Sequence, residues 1–175
     1  MGVSRSTCQS SVPSALPSCG DFDIRIARDG TWFYRGSPIG RKPLVKLFST
    51  VLQRDEYGEF WLVTPVERGR VVVEDAPFTA VEVSVEGKET AQVLKFRNNV
   101  DDWVEAGPEH PIRVAIAPGS GEPSPYILIR DRLEALILRP VYYRLVDLAV
   151  ARRHEGEDTL GLWSKGIFFP LGRLD

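Results

Sequence analysis

Basic residues directly before two helix starts are the features of this sequence most suited to binding chemistry. Arg41 and Lys42 precede Pro43, and Arg139 precedes Pro140 in the same way. Proline is typical of the first helical turn, where its missing N–H needs no partner. Cations oppose the dipole at this end of a helix, whereas an anion gains from the free N–H groups there. We therefore predict that Arg41 and Arg139 share an anion site; the alternative is exposure, or pairing with the acidic middle of the chain.

Polar and aromatic side chains elsewhere could complete such a site. Polar groups at strand ends often border clefts, an indole can stack on a nucleotide base, and a phenol can add a hydroxyl. The alternatives are turn formation for the asparagines and core packing for the aromatic rings. With the two arginines, the predicted ligand-binding residues are Arg41, Arg139, Thr64, Glu67, Asn98, Asn99, Trp32, Trp163 and Tyr143.

Recognisable catalytic and metal-binding motifs are absent from the sequence. His110 and His154 have no partners at ligand spacing, and Cys8 and Cys19 both precede the expected core. The Gly-x-Gly at Gly119 leads into another strand instead of a helix, which indicates a turn. We expect a non-enzymatic protein without metal or cofactor, although catalytic carboxylates need no signature and leave an enzyme open.

Composition indicates a globular chain of one domain or two small units. The sequence has 175 residues, and its net charge of -2 gives no general attraction to nucleic acid or to an anionic membrane. Residues 29–54 and 126–153 are basic, whereas residues 55–109 are acidic. The Ser-rich residues 1–20 lack the apolar run of a secretory signal, and no other stretch has the length of a membrane span. We expect a flexible leader and a cytoplasmic location.

Two parts of the chain resemble each other. Each combines strand-like alternation, an amphipathic helix and a further strand, and three blocks recur in the same order. These blocks are Arg28-Asp29 with Arg130-Asp131, Leu44 and Leu47 with Leu145 and Leu148, and Gly58-Glu59 with Gly156-Glu157. Chance similarity of amphipathic helices is the alternative. A duplication predicts that the paired leucines are buried and that the two units pack together around a cleft.

The predicted fold is therefore α+β, with two related β-rich units that each carry one principal helix. We place the boundaries at residues 1–20 for the leader, 21–78 for the N-terminal unit and 79–175 for the C-terminal unit, whose helix is expected near 140–153.

Five blocks also carry a family resemblance. They are GTWFYRGSPIGRKPLVKLFSTVL, LVTPVERG, FRNNVDDW, RDRLEALILRPVYYRLVDLAV and WSKGIFFPLG. Between Gly20 and Gly172 the chain resembles a bacterial family defined only as a domain of unknown function (twelve-eighty-five). The resemblance implies a duplicated core, a C-terminal half similar to a pleckstrin-homology barrel, and a ligand site between the halves for a nucleotide-like molecule in signalling.

Three functions remain open at this point. The favoured one is a non-enzymatic ligand-binding or regulatory module that senses a nucleotide-like anion and has a protein partner in signalling. A protein-interaction module without a small ligand is the second. The third is a single-stranded nucleic-acid binder that uses Arg35, Arg41 and Lys46, although the acidic balance makes nucleic acid an unfavoured partner.

Overall fold

A computed structural model describes residues 19–175 of the protein. Within this range the chain forms fifteen strands and two α-helices. The strands are β1 (Cys19–Ile26), β2 (Trp32–Tyr34), β3 (Ser37–Pro38), β4 (Leu52–Arg54), β5 (Phe60–Val63), β6 (Arg68–Val73), β7 (Phe78–Glu86), β8 (Val93–Asn98), β9 (Trp103–Glu105), β10 (Ile112–Ile116), β11 (Pro123–Arg130), β12 (Leu133–Ile137), β13 (Val150–His154), β14 (Glu157–Ser164) and β15 (Ile167–Arg173). The helices are α1 (Lys42–Thr50) and α2 (Arg139–Leu148).

The strands form three sheets. The first has the order β3-β2-β1-β6-β5-β4 and forms the N-terminal domain with α1. The second has the order β10-β11-β12-β7-β8-β9, and the third has the order β13-β14-β15; together with α2 they form the C-terminal domain. Most neighbouring strands are antiparallel, but β1 pairs with β6 and β12 with β7 in parallel. The predicted α+β fold of two β-rich units, each with one principal helix, is confirmed.

The same order of elements occurs twice along the chain. A hairpin, a helix and a three-stranded meander appear as β1-β2, α1 and β4-β5-β6, and again as β11-β12, α2 and β13-β14-β15. The sheets then differ, because β6 returns to pair with β1 whereas β15 pairs only with β14. The predicted burial of the paired leucines is wrong at Leu47. Leu47 is 62% exposed although Leu148 is half-buried, because Val45 and Ser49 carry the buried face of α1.

Two predicted boundaries need correction. The second helix ends at Leu148 instead of residue 153, because Ala149 is extended and Val150–His154 pairs with β14 as a strand. The predicted leader is also two residues too long, since Cys19 already pairs with Arg68 at the start of β1. Cys8 lies outside the described residues.

One hydrophobic core runs through both domains. Its cluster contains Ile26 and Trp32 from the first sheet together with Phe78, Phe96 and Ile127 from the second. Fully burying such a side chain stabilises the fold by about 1.5–3 kcal/mol relative to leaving it exposed. The shared core therefore fixes the domains against each other. No helix within residues 19–175 has the length and apolarity needed to span a membrane.

Polar contacts reinforce this seam between the domains. The Asn99 side chain accepts a hydrogen bond from the Thr79 N–H and donates one to the carbonyl of Gly30, at 3.1 and 3.3 Å. On the other side, the Arg130 guanidinium donates to the carbonyl of Ser49 at the end of α1. Arg130 therefore provides the cation that the last turn of α1 lacks in its own sequence.

Candidate functional site: a groove between the domains

A groove of about 620 Å³ opens where the turn after β1 meets the C-terminal domain. The N-terminal domain contributes Arg28 and Asp29 to it. The C-terminal domain contributes the start of β11, the end of β12 and the first turn of α2, which carries Arg139. Because the two walls come from different domains, the seam contacts decide the width of the groove.

Each wall carries one exposed arginine that has a carboxylate partner. The Nε of Arg28 lies 3.4 Å from Oδ2 of Asp75, and the Arg28 side chain is 65% exposed. The Nη2 of Arg139 lies 3.8 Å from Oε2 of Glu122, and that side chain is 76% exposed. Exposed ion pairs of this kind contribute about 0–1 kcal/mol. Both guanidinium groups are therefore available to an anion at little cost.

The start of α2 adds further binding groups to the groove. Its N-cap, Leu138, has no side-chain acceptor for the first free N–H groups, and no acidic residue lies in the first turn. The ring of Tyr143 is 60% exposed. Tyr142 is half-buried, and its burial raises the pKa of the phenol, so this hydroxyl stays protonated at neutral pH. Among the described residues it has no hydrogen-bond partner, which leaves it free to bind a ligand.

The groove also carries negative charge. The Asp29 carboxylate accepts a hydrogen bond from the Thr31 N–H at 2.9 Å, and this bond lowers the pKa of Asp29. Asp29 is therefore ionised at neutral pH, and Glu122 also lines the groove beside the two arginines. A ligand with an anionic group and neutral or cationic parts fits this pattern better than a uniformly anionic one.

The structure brings two of the nine predicted residues, Arg139 and Tyr143, into this groove. Arg41 is exposed at the start of α1 and does not line it. Trp32 is 1% exposed and stacks on Phe48 within the core, with ring centroids 6.4 Å apart. The predicted sharing of one cleft by Arg41 and Arg139 is therefore not found, and Trp32 has no ring face for a base.

The remaining predicted residues have structural roles. Thr64 and Glu67 close the turn between β5 and β6, since the Thr64 N–H and hydroxyl both donate to the Glu67 carbonyl. Asn98 is 1% exposed and accepts the N–H groups of Val100 and Asp102, which ends β8 in a turn.

Trp163 and Asn99 also contact protein groups. The guanidinium of Arg152 covers the Trp163 ring at 4.7 Å, and Phe168 packs against that ring at 5.5 Å. Asn99 belongs to the domain seam and contacts Gly30, the residue that follows Asp29 of the groove. It therefore supports the groove without lining it.

Four of the charged and tyrosine residues in the groove were missed from the sequence: Arg28, Asp29, Glu122 and Tyr142. Arg28 belongs to a turn that the sequence does identify, because Arg28-Asp29 recurs as Arg130-Asp131, but nothing local shows what the turn faces. Tyr142 and Tyr143 are adjacent and carry the same signal, so the pattern could not separate them. Within residues 19–175 no three His, Cys, Asp or Glu side chains are grouped so as to hold a metal ion.

Comparison with known proteins gives two matches to family models. The model of the N-terminal domain of DUF1285, a domain of unknown function, matches residues 15–76, and the model of its C-terminal domain matches residues 77–171. The chain belongs to the DUF1285 family. The resemblance noted from the sequence is thereby confirmed, and the two matches meet at the segment that joins the domains.

Two solved DUF1285 structures are similar to this chain. A crystal structure of a family protein from Silicibacter pomeroyi DSS-3 has 49% sequence identity and a TM-score of 0.82, and the match covers 95% of this chain and 91% of that one. A family protein from Shewanella baltica OS155 has 25% identity and a TM-score of 0.56, with 71% of this chain and 91% of that chain covered. No match was found among curated proteins. The similarity of the C-terminal half to a pleckstrin-homology barrel stays a prediction.

Proposed function

We propose that this DUF1285 protein is a non-enzymatic ligand-binding module that regulates a protein partner in signalling. Its ligand is a nucleotide-like anion that binds in the groove between the domains. A cytoplasmic location belongs to the same proposal, since two cysteines among 175 residues give no disulfide framework.

One observation carries this proposal: the groove holds an exposed arginine on each wall, and among the described residues each arginine side chain has a single, long carboxylate contact. Arginine binds a phosphate through two parallel N–H donors, which is stronger than a single long contact. A phosphate between Arg28 and Arg139 would also lie near the free N–H groups at the start of α2.

The tyrosines favour a ligand that has a ring as well as a phosphate. Tyr143 offers an exposed aromatic face, and the protonated Tyr142 hydroxyl can donate to a ring or sugar oxygen. The ionised Asp29 can accept from an exocyclic amine or a sugar hydroxyl. These groups supply further contacts that inorganic phosphate would leave unused.

The experiment is a thermal-shift screen against nucleoside mono-, di- and triphosphates, followed by calorimetric titration of the best binder. Arg28→Gln and Arg139→Gln should each weaken binding by about 1.5–3 kcal/mol, the contribution of a hydrogen bond to a charged group. Neither change should lower the melting temperature noticeably, because both side chains are exposed.

Arg41→Gln is the matched control, because it removes the same charge at the other helix start, outside the groove. It should leave the affinity unchanged. Equal losses in all three variants would indicate unspecific attraction of the anion. Failure of every nucleotide to raise the melting temperature would contradict the proposal.

A protein-interaction module is the second candidate, and the exposed side of α2 favours it. Tyr143, Val146 and Val150 are 60%, 38% and 47% exposed and follow one another along the helix and into β13. A partner could bury this stripe next to the groove. Single-stranded nucleic acid has less support, because arginines already cover several outer rings, as Arg25 covers Phe33 at 4.2 Å.

A further inference from the structure

The segment that joins the domains passes beside the groove and is held by both domains. On the N-terminal side, the Glu74 N–H donates to the Ile26 carbonyl, and the Arg28 N–H donates to the Glu74 carboxylate, each at 3.0 Å. Ala76, two residues further on, is 3% exposed and packs with Tyr126 and Leu136 of the second sheet. The joining segment is therefore anchored to both domains within three residues, Glu74 to Ala76.

Asp75 lies between these anchors and binds two side chains at once. One carboxylate oxygen, Oδ1, accepts the hydroxyl of Tyr126 at 2.6 Å. The other, Oδ2, lies 3.4 Å from Nε of Arg28. The Asp75 side chain is only 18% exposed, so few orientations are open to it. With Oδ1 bound to Tyr126, Oδ2 lies on the side of Arg28.

Tyr126 is itself firmly held. It is 8% exposed, it lies opposite Leu136 in the β11–β12 pair, and the guanidinium of Arg113 covers its ring at 4.4 Å. Burial, with the bond to Asp75, raises the pKa of its phenol to about 12, so the hydroxyl remains a donor at neutral pH. Leu136 also lines the groove. The contacts of Asp75 with Tyr126 and Arg28 therefore lie next to the groove wall that Leu136 helps to form.

We propose that Tyr126 and Asp75 are positioning residues. Through them the C-terminal domain holds the Arg28 side chain at the rim of the groove, where it is ready to bind an anion. We call Arg28, Asp75 and Tyr126 the linker clasp. The proposal deepens the function proposed above and rests on it for its purpose. A guanidinium that is held in advance loses less side-chain entropy on binding, which corresponds to roughly a two- to tenfold gain in affinity.

The first test needs no ligand. The Nε–H signal of Arg28 is recorded by nitrogen-15 NMR and assigned by its disappearance in Arg28→Lys. Tyr126→Phe keeps the packed ring and removes only the hydroxyl, while Asp75→Asn keeps an acceptor for Tyr126 and removes the charge that faces Arg28. In both variants the Arg28 signal should shift, and its exchange with water should become faster.

Glu59→Gln is the control, because it removes the carboxylate partner of Arg70 at 2.8 Å, elsewhere in the N-terminal domain. It should leave the Arg28 signal unchanged. An Arg28 signal that is the same in wild type, Tyr126→Phe and Asp75→Asn would overturn the linker clasp, provided the backbone spectra show that the variants are folded.

The second test uses inorganic pyrophosphate as the anion. In the wild type, pyrophosphate should shift the Nε–H signals of both Arg28 and Arg139, and its affinity should fall about two- to tenfold in Tyr126→Phe. Unchanged affinity in that variant would overturn the positioning role. If pyrophosphate and the nucleotides shift neither arginine in the wild type, the proposed function fails, whereas the ligand-free result still decides whether the linker clasp holds Arg28.

Discussion

The starts of α1 and α2 carry the same local signals but meet different surroundings. Both have a basic residue followed by proline, an extended N-cap and no acidic side chain in the first turn. At α1, Lys42 pairs with Asp101 at 2.9 Å and Lys46 with Asp102 at 3.6 Å, across the seam. At α2, Arg139 faces the groove and has one long contact with Glu122.

This difference shows that basic residues at a helix start can have two different roles. The lysines of α1 meet carboxylates from the acidic middle of the chain, so their charge is used to join the domains. Arg139 of α2 meets a groove whose other wall belongs to the other domain. The local sequence is compatible with both roles, and the partner that tertiary structure supplies decides between them.

The largest expected effect comes from Gly30, which supports the groove wall opposite α2. Its φ is +91°, and an added Cβ would lie 2.9 Å from Nδ2 of Asn99 and 3.0 Å from Oγ1 of Thr79. Gly30→Ala should therefore lower the free energy of unfolding by about 2–4 kcal/mol, through backbone strain and the loss of the Asn99 contact. Urea denaturation measures this change.

Gly36→Ala is the control on the α1 side. Gly36 has a similar φ of +80°, but nothing lies within 4 Å of an added Cβ. It should cost only the backbone strain, about 1 kcal/mol. Equal losses at both positions would show that the crowded seam at Gly30 adds nothing to stability.

The next effect concerns the end of α1. Arg130 donates from the C-terminal domain to the carbonyl of Ser49, and α1 has no basic residue in its own last turn. Arg130→Met keeps much of the apolar stem and removes the donors, so the free energy of unfolding should fall by about 1.5–3 kcal/mol. Chemical denaturation tests it. Arg144→Met on the exposed side of α2 is the control and should change the free energy of unfolding by less than about 0.5 kcal/mol. A loss there as large as in Arg130→Met would show that the bond from Arg130 to the end of α1 contributes nothing specific.

The sequence predicts elements well where the signal is local. Pro43 and Pro140 mark both helices, and the repeated order of hairpin, helix and meander follows from patterns of turns and apolar residues. The end of α2 was misplaced because Val150 and its neighbours suit a helix or an edge strand equally, and pairing with β14 decides.

The site was predicted less well, because it depends on contacts that are distant in sequence. Arg139 could be identified from its helix start, and Tyr143 from its position on that helix. Arg28 could not, since its place in the groove depends on Asp75 in the joining segment and on the C-terminal wall across the groove. Trp32 was assigned to the site although it fills the core, because an indole next to basic residues looks the same in sequence whichever way it points.

The smallest effect should appear in the pH dependence of the α1 contacts. Hydrogen bonds from Lys42, and then from Arg97, lower the pKa of Asp101 below its usual value. A carboxyl group with a lowered folded pKa contributes stability that is complete above its unfolded pKa of about 3.9 and is lost as the pH falls through the folded value. Asp101→Asn removes this contribution and keeps the left-handed backbone at φ 66°, which asparagine tolerates. The wild type should therefore have a higher melting temperature than Asp101→Asn at pH 6, and the difference should shrink towards pH 2.5.

Calorimetry across this pH range, with Lys42→Met alone and combined with Asp101→Asn, measures how much of the difference in stability comes from the Lys42–Asp101 pair. If the two changes add without coupling, the charge of Lys42 does not join the domains through Asp101, and the contrast with Arg139 at the start of α2 loses its main support.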